Sequence, residues 1–275
     1  MAETLRKLSG AWNFRDVADG TAALRPGRIY RSGELTHLDD DGRATLLRFG
    51  VTDIADLRAR REVARRGPGL VPDGIEVHLL PFPDLGADDA GADGEAPHEH
   101  AFRRLLSGEG RGPDESVDEA ANRYMLDEYR QFPMRRGAQR ALHRVITLLA
   151  TGRPVLTHCF AGKDRTGFVI ATVLETIGVD RDAILADFLR SNDAAPQLRA
   201  RVAELMEQRS DTPLPPEAVT VAEARLSDAV LGVREEYLAV ARQTIDTEFG
   251  SLDGYLRDAG ITDADVDRLR AALLA

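Results

Sequence analysis

The chain reads as an α/β protein built on a mostly parallel sheet, and three observations predict it. Short β-prone runs alternate with helical runs between residues 28 and 80 and again between 154 and 177; strands that return through helices pair in parallel. Residues 154–168, PVLTHCFAGKDRTGF, run from a strand through a loop straight into a helix. From about residue 180 onward the pattern is helical, which adds a layer beside the α/β core. The expected architecture is about four or five strands, helices on both faces, and a C-terminal helical layer part of which forms a lid. The length of 275 residues fits one large domain or two small ones; a single domain over 1–275 is the reading adopted here.

The elements follow in order. RIYRS (28–32) comes after Pro26-Gly27 and is the first strand. Asp39 to Asp41 offer caps for a helix that runs to Phe49 and stops at Gly50. VTDIADLR (51–58) is the second strand, and a charged helix over 59–66 is closed by Gly67-Pro68-Gly69. IEVHLL (75–80) puts Ile75, Val77 and Leu79 on one face at period two. Pro81-Phe82-Pro83-Asp84 ends that strand. Residues 86–118 read as a flexible acidic insert with one short helix around Phe102 to Leu106.

Helices then cover 118–131 and 138–151, the second with Leu142, Val145, Ile146 and Leu149 at helical spacing. PVLTHC (154–159) is a buried strand. The helix over 164–177 carries Ile170, Val173, Leu174 and Ile177 on one stripe and ends at Gly178. Residues 181–230 form the helical lid or accessory region. Asp180 caps its first helix, Leu198, Val202, Leu205 and Met206 stripe the next, and Pro213, Pro215 and Pro216 precede a helix near 217–230. The tail 234–275 holds two or three more helices.

Composition narrows the function. Hydrophobic residues at 43% supply a core, so the chain is neither disordered nor fibrous. With 36 basic and 46 acidic residues the net charge is −10, which excludes a nucleic-acid partner held by a basic surface. Between Gly86 and Glu119 there are 10 acidic and 3 basic residues, so the rest of the chain is near neutral. The single cysteine, Cys159, excludes an internal disulfide framework and multi-cysteine metal sites. No signal peptide opens the chain, and the longest apolar run, Phe168 to Leu174, is too short for a membrane span. The chain is therefore expected in the cytoplasm, or secreted by a signal-independent route. His98-Glu99-His100 lies on the acidic insert with poor ligand spacing, and no metal is assigned there.

The chemistry sits at 158–166. A strand delivers Cys159 to a loop whose backbone N–H groups, with a helix N-terminus behind them, form an anion cradle. A thiol in that field loses its proton readily, and the thiolate is a nucleophile. Arg165, six residues on, offers a planar fork for two phosphate oxygens. Gly162 lets the backbone turn tightly. Thr166 is placed to donate to the sulfur, and His158 to order the loop through a ring hydrogen bond. Phe160, Ala161, Gly162, Lys163, Asp164, Arg165 and Thr166 make up the phosphate-binding set. Lys163, one of only two lysines, either meets a second phosphate or supports the loop.

HCFAGKDRTG resembles the phosphate-binding loop of the cysteine-dependent tyrosine and dual-specificity phosphatases. NFRDVA (13–18), YRSGEL (30–35) and ADLR (55–58) narrow the resemblance to bacterial tyrosine phosphatases of the mycobacterial PtpB type, over essentially the whole chain. The resemblance implies a phosphatase fold and a metal-independent phosphomonoesterase without cofactor. It implies a phosphocysteine on Cys159 and phosphoryl binding by Arg165. The general acid is Asp84, at the end of PFPD, or Asp164 inside the loop. The implied substrates are phosphotyrosine, phosphoserine/threonine and phosphoinositides, with transient contact at a membrane surface, a monomeric chain, and export into host cells as in relatives. Asn13, Arg15, Asp16 and Arg58 are read as buried polar braces. Phe82, Phe102, Tyr124, Met125, Phe160, Leu205 and Met206 are candidates to line an apolar pocket. A phospho-ligand binding module would have lost Cys159 or Arg165, and a rhodanese-type sulfurtransferase has no need of the Arg-Thr pair; both are rivals.

Overall fold

The computed structural model describes residues 7–82, 114–207 and 226–275. Five strands form one sheet: β1 (Arg15–Asp16), β2 (Ile29–Ser32), β3 (Asp53–Asp56), β4 (Glu76–Leu79) and β5 (Val155–His158). Their order is β1-β2-β5-β3-β4, and every pairing is parallel except β1 with β2. The α/β class, the mostly parallel sheet and the flanking helices agree with the sequence reading.

Alternation along the strands decides which layer each face receives. Ile29, Ala55 and Val155 enter the larger core, while Tyr30, Ile54 and Leu156 enter a second cluster with Leu35, Leu38 and Leu46. The second cluster is covered by α1 (Asp40–Arg48), which Asp39 caps by accepting from the Gly42 N–H. The larger core lies under α3 (Val117–Gln131), α4 (Arg136–Leu149) and α5 (Asp164–Thr176). The predicted stripes are buried as expected: Leu142, Val145, Ile146 and Leu149 are all fully enclosed. Helix α5 is buried on every side, because the sheet lies on one flank and more helices on the other. Those helices are α6 (Arg181–Leu189), α7 (Ala195–Glu207), α8 (Asp228–Leu231), α9 (Glu235–Phe249), α10 (Leu252–Asp258) and α11 (Asp263–Leu273). A short charged helix, α2 (Arg60–Arg66), follows β3.

Two expectations change. Ile75, Val77 and Leu79 do alternate, but β4 is the outermost strand and its face is only partly covered: Ile75 packs against the second cluster while Val77 is 45% exposed. The acidic insert does not extend to 118. Ser116 accepts from the Glu119 N–H, and the Glu119 carboxylate accepts from the Ser116 N–H; that reciprocal cap starts α3 at Val117. Residues 83–113, with Asp84, Phe102 and His98 to His100, lie outside the described residues, as does most of the predicted helix near 217–230. No helix among the described residues is long and apolar enough to cross a membrane.

Register aligns the carboxyl ends of the three central strands. Ser32, His158 and Asp56 stand side by side, so the segments that leave β2, β5 and β3 emerge together at one edge of the sheet. Open parallel sheets present their ligand sites at this edge.

Candidate active site

The loop from Cys159 to Lys163 leaves β5 at that edge and enters α5. The carbonyls of residues 159–162 are tied outward. The Cys159 carbonyl faces Nδ1 of His158 at 3.2 Å, and the Phe160 carbonyl accepts from the Glu34 N–H at 2.9 Å. The Ala161 and Gly162 carbonyls accept from the Asn13 amide at 3.3 and 2.9 Å, and Gly162 accepts again from Arg31 at 2.8 Å. In a trans peptide the N–H points opposite to the C=O. The N–H groups of residues 160–163 therefore turn inward, and among the described residues none from 160 to 166 donates to a carbonyl. The result is a ring of unspent donors at the start of a helix, a site for an anion.

Cys159 opens this loop, directly after β5, and is 2% exposed. Arg165, on the first turn of α5, holds Glu62 of α2 in two contacts, Nη1 to Oε2 at 2.5 Å and Nη2 to Oε1 at 2.9 Å. Glu62 is itself fixed, because its Oε2 accepts from the Ala59 N–H at 2.7 Å. Burial by itself would make the Arg165 guanidinium give up its proton more readily, but the charges of Glu62 and Cys159 outweigh it and the group stays a cation more firmly than a free arginine.

Asp164 opens α5, and its Oδ1 accepts from Tyr129 at 3.0 Å and from the Lys163 ammonium at 2.7 Å. Lys163 is buried, and its second partner is the Gly232 carbonyl at 3.0 Å. Its ammonium is thus drawn toward Asp164 and the segment before α9, which is the loop-supporting geometry. The expected hydrogen bond from Thr166 to the sulfur is absent: the hydroxyl is buried and has no partner among the described residues. An unmet donor beside the cradle is a place for an incoming oxygen.

Three buried charges lie next to the loop. Asp56 holds Arg58 in a fork, at 3.0 Å from Nε and 2.7 Å from Nη2. Glu34 faces Arg58, Arg66 and Arg201 at 3.5, 3.7 and 3.9 Å, and burial still leaves its carboxyl above the ordinary range despite these cations. Arg66 also lies over the Phe160 ring at 3.7 Å. Arg201 belongs to α7, which covers the loop: Leu198 packs on Ala161, with Val202 and Phe160 beside them. Of the residues considered for an apolar pocket, Phe82 and Met125 are core, Tyr124 is half-buried against it, and Phe160 meets Trp12 edge to face at 5.9 Å. The side chains of Phe102, Leu205 and Met206 lie outside the described residues. Sequence reasoning missed Glu62, Glu34 and Tyr129, whose partners lie far along the chain.

His158 is buried between Asp56 and the Cys159 carbonyl. Burial holds its imidazole below the usual histidine range, against the opposing pull of Asp56. A histidine depressed in the folded state binds its proton more readily once unfolded. Its contribution to stability is complete above the unfolded value of about 6.5 and is lost as pH falls below that toward the folded value. His158→Asn keeps a donor for the Cys159 carbonyl and removes the titration. Below pH 6.5, denaturant melts of the wild type should therefore lose stability more steeply than those of the variant, by up to about 1.4 kcal/mol per pH unit. Equal slopes would contradict this.

Asp53, Glu76 and His78 bring ligand atoms within 4.8 Å of one another at the far edge of the sheet. Asp53 is already held by Arg153 and Thr52, and Arg144 reaches His78. The group is an ion-pair network remote from Cys159, and no metal role is assigned to it.

Comparison with known proteins places the chain among phosphatases. A sequence model described as the tyrosine phosphatase family matches residues 6–275. The chain is 69% identical over 275 residues to the triple specificity protein phosphatase PtpB of Mycobacterium tuberculosis, covering 98% of this chain and 99% of that one. It is 30% identical over 267 residues to a protein of Cupriavidus necator named as a tyrosine-protein phosphatase, covering 96% of this chain and 86% of the relative.

Proposed function

The chain belongs to the tyrosine phosphatase family, and on that premise we propose that it is a metal-independent phosphomonoesterase acting through a phosphocysteine on Cys159. The observation that carries this is the loop itself, with four carbonyls tied outward and its N–H groups turned in around the cysteine. The phosphoryl group enters that ring. The Cys159 thiolate attacks phosphorus, the P–O bond to the leaving group breaks, and the leaving oxygen takes a proton from a carboxyl group. Charge that builds on the phosphoryl oxygens is met by Arg165, the backbone donors and the free Thr166 hydroxyl. Water then attacks phosphorus and releases the thiolate. Asp164 is one candidate acid; Asp84 is the other. Lys163 acts on this step through Asp164, whose carboxyl it holds. Helix α7 stands over the loop and moves aside to admit substrate, acting as the lid.

The substrates proposed are phosphotyrosine, then phosphoserine/threonine and phosphoinositides. The test is release of inorganic phosphate from phosphopeptides and soluble phosphoinositides with EDTA present. Wild type should turn over both, and Cys159→Ser neither. Asp164→Asn and Asp84→Asn separate the acid: the true one loses about 10²–10⁴-fold on alkyl phosphates and far less on aryl phosphates with good leaving groups. Wild type inactive on every substrate would put a phosphate-binding module in place of the enzyme.

A further inference from the structure

The Gly162 carbonyl is the most firmly held of the loop, and both of its donors lead to one buried carboxylate. Asp187 of α6 accepts from Arg31 Nη1 at 2.6 Å, and Arg31 Nη2 donates to the Gly162 carbonyl at 2.8 Å. The other oxygen of Asp187 accepts from Arg15 Nε at 2.7 Å, and Arg15 Nη1 donates to Asn13 Oδ1 at 2.5 Å. Asn13 Nδ2 then donates to Gly162 at 2.9 Å and to Ala161 at 3.3 Å. Arg15, Arg31 and Asp187 are 6%, 0% and 3% exposed. Two cations share one anion, so a net positive charge is buried behind the loop. Burial and the neighbouring Arg31 draw Arg15 down to about 10, which leaves it protonated at neutral pH.

Asn13 is the member of this network whose form needs explaining. Its φ of +55° is the only positive value at a non-glycine residue among those described. Glycine adopts that backbone without steric penalty, so the turn alone does not call for asparagine. The side chain does. A guanidinium only donates, so Arg15 fixes which end of the amide is oxygen and directs the NH₂ toward the loop. The two carbonyls it holds belong to the peptide planes whose N–H groups are those of Gly162 and Lys163.

We infer that Asn13, keyed by Arg15 and Asp187, is a positioning residue that sets those two peptide planes so that their N–H groups face the Cys159 thiolate and the phosphoryl group. This rests on the proposed function. Without the amide, the Gly162 carbonyl keeps only Arg31 and the Ala161 carbonyl keeps no donor among the described residues. Either plane then rotates toward the anion and opposes it.

Asn13→Gly isolates the amide, because it relieves the backbone strain while removing the donor. The expected result is a melting temperature no lower than wild type by more than a few degrees. The midpoint of the pH profile for iodoacetamide alkylation of Cys159 should rise by about one unit, and kcat/KM should fall about tenfold or more. Asn13→Asp keeps the size and turn preference but sets a carboxylate against two carbonyl oxygens. It should shift the alkylation midpoint further and lose about 100-fold in kcat/KM. A merely structural brace predicts a lower melting temperature with an unmoved alkylation midpoint, and that outcome overturns the inference. So does an unchanged midpoint and kcat/KM in Asn13→Gly. If that variant does not fold, the same readings on Asn13→Asp decide. Wild type that releases no phosphate overturns the proposed function instead, while the alkylation profiles still read the peptide planes.

Discussion

Arg165→Lys should lower kcat/KM on a phosphotyrosine peptide by about 10³–10⁴-fold while the protein remains folded. The reason is how the five N–H donors of the guanidinium are divided. Glu62 takes the terminal fork, one bond from each Nη, and the Leu57 carbonyl takes a further bond from Nη1 at 3.3 Å. The side fork, Nε–H with the remaining Nη2–H, is left for two phosphoryl oxygens. One face of the group is spent on being held, and the other is free to bind. A lysine ammonium keeps the charge but cannot serve both partners in one plane, so it either stays with Glu62 or reaches the phosphate loosely. Glu62→Gln tests the same division from the other side. It keeps one acceptor and should lose about tenfold, since the fork is still present but less firmly aimed. Steady-state kinetics beside circular-dichroism melts make the check. Arg165→Lys retaining more than a tenth of wild-type kcat/KM would sink this account of phosphoryl binding.

The loop was legible because its parts are contiguous. Cys159, Gly162, Arg165 and Thr166 fall within eight residues, and strand-before, helix-after patterning supplies the rest. The partners that aim the loop were not legible. Glu62 lies 103 positions from Arg165, and Asp187 lies 156 positions from Arg31. With 34 arginines in the chain, no spacing singles out which acid meets which arginine. Glu62 looked like one charge on a charged helix, and its pairing depends on where β3 ends relative to β5. Lys163 shows the reverse case. Its rarity drew a reading toward substrate, yet its stem is buried and its ammonium is engaged by Asp164 and the Gly232 carbonyl. A residue type says what a group can bind, and only packing says what it does bind. Val77 makes the same point for the fold: period two located the strand, but not that β4 would be the outermost one.

Gly162→Ala should cost both stability and catalysis, and a second glycine shows that the two losses have different causes. Gly162 has φ +68°, and a Cβ there would lie 2.2 Å from the Ser32 carbonyl oxygen and 2.6 Å from the Gly33 nitrogen. Those are backbone atoms at the end of β2, which the sheet holds in place, so the loop must give way. The left-handed backbone costs an alanine roughly 1–2 kcal/mol, and forced repacking about 1–3 kcal/mol more. Gly178 has φ +84° with nothing within 4 Å of a new Cβ. Gly178→Ala should therefore pay only the first term, about 1–2 kcal/mol in a denaturant melt, with kcat/KM unchanged. At Gly162 the same strain comes with a displacement of the peptide whose carbonyl Asn13 and Arg31 hold. A shift of about 1 Å in a reacting geometry costs on the order of 10²-fold, so kcat/KM should fall by at least that much in the fraction that remains folded. If Gly162→Ala were to lose stability but keep full activity, the loop would have more freedom than its outward-tied carbonyls allow, and the inward ring of donors would not be what stabilises the phosphoryl group.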